Sequence, residues 1–166
     1  MNTILEKLIP VIASWLEPIS IIFYFLGVIL IVIALIQLSS KNQSGKPVLS
    51  GLAGIILLNF PTFIDNVSYT VFNSGSEKLF SYAPPTHPGS IYIQFTVYAV
   101  QLIGVLGFGR GCWLLRDTAN GQPQVMRGFI HFIGSIFAVN IVQFIKFLGI
   151  SIGGDTQSTI STVFGN

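Results

Sequence analysis

The sequence predicts an all-α membrane protein, with four transmembrane helices arranged as two tandem hairpins behind a short amphipathic helix. Three observations predict it. Hydrophobic residues make up 51% of the 166 positions and charged residues only 8%, against about 25% charged in an ordinary soluble domain; mean hydropathy is +0.74. Pro18 to Ser40 holds no charged residue, and that run is long enough to cross a hydrocarbon core of about 30 Å as a helix. Finally, the chain twice leaves an apolar run through a basic turn and enters another, once at Gly45-Lys46-Pro47 and again at Gly121-Gln122-Pro123.

The N-terminal arm, residues 1–17, reads "MNTILEKLIPVIASWLE". Glu6, Glu17 and Pro10 spoil it as a secretory signal, so it is expected to be retained. Leu5, Leu8, Ile9, Ile12 and Leu16 recur at helical spacing, predicting a helix from Thr3 to Leu16 that lies in the membrane interface. The first hairpin, residues 18–72, pairs the charge-free span with a second one from Gly51 to Phe72. A connection follows over residues 73–90, "NSGSEKLFSYAPPTHPGS". The second hairpin, residues 91–150, pairs Ile91–Leu115 with Gly128–Ile150, and residues 151–166 form a tail. Helices are required because backbone polar groups must be paired inside lipid, and these runs lack the alternation of a membrane barrel. Trp15, Tyr24, Tyr69, Tyr82, Tyr92 and Trp113 fall near the predicted boundaries, as an aromatic belt would place them.

Orientation follows from the basic residues. Lys41 and Lys46 lie in the first turn, Arg116 and Arg127 flank the other, and Arg110 reaches the same side by snorkelling. Both turns are therefore expected in the cytoplasm, with the termini and the 73–90 connection across the membrane, in the periplasm of a bacterium. The same five side chains are candidate contacts for anionic lipid head groups, at about 1 kcal/mol each. Membrane lipid is the expected partner, and a bound phospholipid is the one cofactor-like group the pattern allows. The net charge of +2 is too small for a nucleic-acid footprint. A single cysteine, Cys112, excludes an intramolecular disulfide and any CxxC site.

The two hairpins look duplicated. Aligning the Gly-x-Pro turns sets Leu38 opposite Leu114, and Asn59 and Asp65 are echoed by Asn140 and Lys146 at equal spacing, though out of register with the turns. Both copies point the same way, a parallel repeat rather than the inverted repeat common among transporters. Two fused two-span subunits have the architecture of conjugative pilins.

Within the spans, Asp65 and Lys146 share a depth that predicts an ion pair, with independent snorkelling as the alternative. Asn59 and Asn140 are expected to hydrogen-bond across helices. Pro61 should kink the second span near Leu57. Gly104, Gly107 and Gly111 share a helical face that admits a close neighbour, and Gly149 and Gly153 repeat the spacing, which predicts oligomerisation. The run "GFGRG" lacks the strand and the Lys-Ser/Thr of a phosphate loop. His87 and His131 belong to no ligand cluster, and no nucleophile, base and acid assemble, so neither a metal nor catalysis is expected. A small channel running past Asn59, Asp65 and Asn140 is a further reading of the same polar residues.

The segments "LLNFPTFIDNV", "FSYAPPT", "GVLGFGRGCWLLRDTANGQPQ" and "GFIHFIGSIFAVNIVQFI" together resemble the IcmC/DotE family of type IVB (Dot/Icm) secretion systems and the related TraQ-like proteins of IncI conjugative plasmids. The resemblance runs from about Pro18 to Leu148, is most specific from Gly104 to Phe144, and leaves the N-terminal arm unmatched. It implies a polytopic bacterial inner-membrane subunit, without catalytic residues, of an apparatus that transfers effector proteins or DNA. Such a subunit would partner other secretion-system proteins and further copies of itself. A pilin-like subunit assembled into an extracellular filament is the alternative.

If Asp65 and Lys146 pair, Asp65→Lys and Lys146→Asp should each reduce the folded fraction recovered from membranes, and the double exchange should restore it. Failure of the double exchange to rescue would dismiss the contact.

Overall fold

A computed structural model describes residues 2–39, 46–72, 82, 90–117, 124–152 and 155–164. Lys41, both Gly-x-Pro glycines, His87, Gly153 and most of the 73–90 connection lie outside the described residues, and the Lys46 side chain is likewise not described. Among the described residues the chain is helical throughout, without a strand. The order is α1 (Asn2–Ser14), α2 (Leu16–Ser39), α3 (Lys46–Leu58), α4 (Phe60–Phe72), α5 (Ser90–Asp117), α6 (Gln124–Val139), α7 (Ile141–Ile152) and α8 (Asp155–Phe164).

Two stretches are long and apolar enough to cross a membrane unaided, Ile4–Ser39 and Ser90–Arg116. The predicted second and fourth spans are instead broken. Pro47–Leu58 meets Phe60–Phe72 at 88°, and Met126–Val139 meets Ile141–Ile152 at 84°. Counting each bent pair as one span raises the number of crossings to four. The N-terminal arm is helical, as its spacing predicts. α1 runs on into α2 past one irregular residue, Trp15, so that Ile4–Ser39 forms one 36-residue apolar stretch. Its amphipathic stripe is used within the chain, because Ile9, Ile12 and Ala13 pack against a buried cluster that includes Val97, Tyr98 and Val142.

Two antiparallel hairpins form the body, α2 with α3 and α5 with α6. Between two helices surrounded by lipid no hydrophobic drive operates, so small residues that let backbones touch take over. A Cβ built on Gly27 would stand 2.8 Å from the Gly54 carbonyl oxygen, and one on Gly54 would stand 2.8 Å from that of Gly27. In the second hairpin a Cβ on Gly104 would lie 2.8 Å from the Val139 nitrogen, one on Gly107 2.7 Å from the Ser135 hydroxyl, and one on Gly111 3.2 Å from the Phe132 nitrogen. The glycine face predicted to mediate oligomerisation is thus filled by the chain's own α6, and a second copy could reach it only by parting the hairpin. Gly149 likewise seats against Ile160 of α8.

α6 is longer than α3, with 16 residues against 13, close to one turn of about 3.6 residues. That difference supplies part of the offset between the Asn echo and the turns.

Phenylalanines join the hairpins. Phe60 and Phe108 are wholly buried, with ring centroids 4.9 Å apart, and Phe60 meets Phe23 of α2 edge-on at 5.0 Å. Phe132 of α6 stands 4.8 Å from Phe108 and 5.5 Å from Phe63. Such pairs contribute about 0.5–1.5 kcal/mol each beyond area burial. Cys112 is buried in the same cluster and serves as a small packing residue.

Gly27→Ala and Gly104→Ala should each lower the unfolding free energy in detergent micelles by about 1–3 kcal/mol, the usual result of overpacking. Gly134→Ala, with nothing within 4 Å of the added methyl, should leave it unchanged or raise it by up to about 1 kcal/mol. Chemical denaturation followed by circular dichroism reads the difference.

Candidate functional site

The two helix breaks share one construction. At the first, the Asn59 N–H donates to the Ile55 carbonyl (3.2 Å), the Phe63 N–H donates to the Asn59 carbonyl (2.8 Å), and the Asn59 Nδ2 donates to Ile55 again (3.1 Å). At the second, the Asn140 N–H donates to the Ile136 carbonyl (3.1 Å), the Phe144 N–H to the Asn140 carbonyl (2.9 Å), and the Asn140 Nδ2 to Ile136 (3.0 Å). An asparagine that bonds back to the carbonyl four residues earlier competes with the helix and bends it. The residue type and its place at the break are the same in both hairpins.

What holds each bend open differs. Pro61 follows the first break, lacks an N–H, and so releases the carbonyl of Leu57 from the helical pattern. No proline lies between Asn140 and the end of α7. There the Gln101 side chain, from the neighbouring α5, donates to the Val139 carbonyl at 3.1 Å. A side chain from another helix thus supplies a partner at the point of the break, as broken membrane helices require.

Around Asn140 the core is polar. The Ser68 hydroxyl of α4 donates to the Asn140 Oδ1 at 2.5 Å, and Ser68, Gln101 and Asn140 are all buried. The predicted cross-helix bond is therefore made by Asn140, whereas Asn59 is exposed and its amide bonds within its own helix. Within the chain, one asparagine faces outward and the other into the core. Gln101 and Ser68 were not singled out from the sequence, although a glutamine in the middle of "YAVQLIGV" is a legible signal: an amide at that depth needs a partner.

Asp65 lies on the exposed face of α4 and Lys146 is half-buried on α7. Their helices meet through the rings of Phe72 and Phe147, 6.2 Å apart. At the turn end, the Arg116 guanidinium lies over the Trp113 ring, 4.8 Å from its centroid, and Arg110 and Arg127 are exposed. Since Leu115 packs against Gly128, Arg116 and Arg127 stand at one end of the hairpin. Among the described residues, no three of His, Cys, Asp and Glu gather as metal ligands would. Comparison with protein-family models, curated proteins and solved structures finds no match to this chain.

Ser68→Ala and Asn140→Ala should each destabilise the protein by about 1–3 kcal/mol, because each strands a buried partner. The double variant should lose little more than the worse single one. Asn59→Ala should stay within about 0.5 kcal/mol of the parent, as exposed substitutions do. A double-mutant cycle in micelles checks all three.

Proposed function

We propose that the protein is a structural subunit embedded in a bacterial inner membrane, contributing to assembly or channel building in a type IVB secretion or conjugation apparatus. In this reading each bent pair is one crossing, the turn bearing Lys41 and Lys46 and the turn flanked by Arg116 and Arg127 face the cytoplasm, and the termini face the periplasm. One observation carries the structural role: the most polar part of the interior, Ser68 with Asn140 and Gln101 with Val139, is spent on joining α4, α5 and α6. Polar groups consumed in this way fix a scaffold. The resemblance of Gly104 to Phe144 to the IcmC/DotE family supports assignment to the secretion apparatus. The exposed Arg110 and Arg127, the stacked Arg116, and Lys41 and Lys46 would anchor the hairpins and hold anionic head groups.

The paired breaks favour a second reading. Two parallel copies of one bent hairpin suit a pilin-like subunit that leaves the membrane and polymerises, carrying phospholipid on its basic turns.

An epitope tag within residues 73–90, in a strain whose transfer activity is intact, separates the two. Tagged protein is expected in inner membranes and absent from sheared filaments. Abundant tag in filaments would replace the first reading by the second.

A further inference from the structure

We propose that the protein thins the bilayer on the side of its bent arms. The inference rests on helix lengths and on where polar side chains stand, and it requires only that the chain be embedded in lipid, whichever machine it serves.

The two hairpin arms that lead into the membrane differ from the two that lead out of it. α2 and α5, with 24 and 28 residues, extend about 36 and 42 Å at about 1.5 Å per residue. α3 and α6, with 13 and 16 residues, extend only about 20 and 24 Å before the chain turns. A relaxed hydrocarbon core is about 30 Å thick. Beyond the bends the chain runs nearly at right angles to the arm, at 88° and 84°, and so adds almost no height. Tilting the short arms would shorten them further along the membrane normal.

Polar residues mark the level at which lipid must end. α4 buries Phe60, Ile64 and Ser68 and exposes a mostly polar face, with Thr62, Asp65, Asn66 and Thr70 beside Tyr69 and the apolar Val71. That face starts directly at the bend, about 20 Å from the turn end of α3. Beside it, α7 exposes Phe147, Leu148 and Ile150, so its outer surface remains lipid-facing at the same end of the second hairpin. Keeping Thr62, Asn66 and Thr70 in contact with water next to such a surface draws the far leaflet toward them. Where an apolar length falls short of the core, lipid thins and shorter acyl chains are favoured, at fractions of a kcal/mol per Å. The occupant of this flank is therefore phospholipid with short acyl chains, whereas the flank formed by α2 suits a bilayer of ordinary thickness. A thinned strip shortens the apolar path that any polar segment crossing beside α4 must traverse.

The test uses the full chain in vesicles with tryptophan as a local probe. In a Trp15→Phe, Trp113→Phe background, single tryptophans are introduced at exposed positions, Ile55→Trp on α3, Phe147→Trp on α7 and Ile29→Trp on α2. Each is reconstituted in mixtures of dimyristoleoyl and dierucoyl phosphatidylcholine with one component brominated, and quenching gives the relative occupancy of the two lipids. Ile55→Trp and Phe147→Trp should favour the short-chain lipid by at least about threefold over Ile29→Trp. Equal preference at all three positions, or a long-chain preference at the bent arms, would overturn the proposal. The two bent-arm probes sit on different helices at exposed sites, so each reports independently, and circular dichroism confirms that the helix content of the parent is kept.

Discussion

The constraint on which this structure depends is that a carbonyl released from a helix inside lipid must find another donor. Two right-angle bends in apolar arms create that demand, and they arise from different chemistry. At Asn59 the bend is local in origin: the asparagine amide bonds back to Ile55, and Pro61 removes the donor that would have continued the helix. At Asn140 the solution is tertiary: Gln101 reaches over from α5 to Val139, and Ser68 reaches from α4 to the asparagine. The second bend therefore depends on the docking of the two hairpins, whereas the first does not.

That dependence explains why the hairpins fit so tightly where they do. For Gln101 to reach the Val139 carbonyl, α5 must approach α6 at backbone distance, and Gly104 opposite Val139 removes the side chain that would hold them apart. The same close approach continues through Gly107 and Gly111 toward the basic turn. Phe60, Phe108 and Phe132 fill the wider space left by the glycines, and Phe23 fixes the edge of the first hairpin against them. Small residues set the distance, polar side chains set the register, and aromatic rings supply the dispersion energy that lipid contact alone would not.

Much of this was legible in the sequence, and the illegible part has a physical reason. The helical class, the apolar runs and the hairpin pairing follow from composition and period. The close-approach role of Gly104, Gly107 and Gly111 follows from spacing, although spacing cannot say whether the partner helix belongs to the same chain. The Asn59 and Asn140 echo was visible, and Pro61 announced a kink near its actual place. The right angle at Asn140 was not visible, because "FAVNIVQF" contains no helix breaker and its bend is imposed from α4 and α5. Nor was the continuity of α1 with α2. Its amphipathic stripe reads equally as an interfacial face or as a packing face, and only the presence of α5 decides between them.

The unequal origin of the two bends also bears on how firmly each arm is held. A bend encoded by asparagine and proline belongs to its own arm and survives whatever happens to its neighbours. A bend encoded by asparagine alone is a weak preference, since one side-chain bond to Ile136 competes with the continuous hydrogen bonding of an apolar helix. Gln101 and Ser68 convert that preference into a fixed geometry by removing the penalty of an open carbonyl and giving the asparagine oxygen a donor. With those partners in place a proline in the second hairpin would add little, whereas the first asparagine faces outward and bonds within its own helix. The two arms thus share a shape of different origin: the first bent by its own sequence, the second by the assembled core.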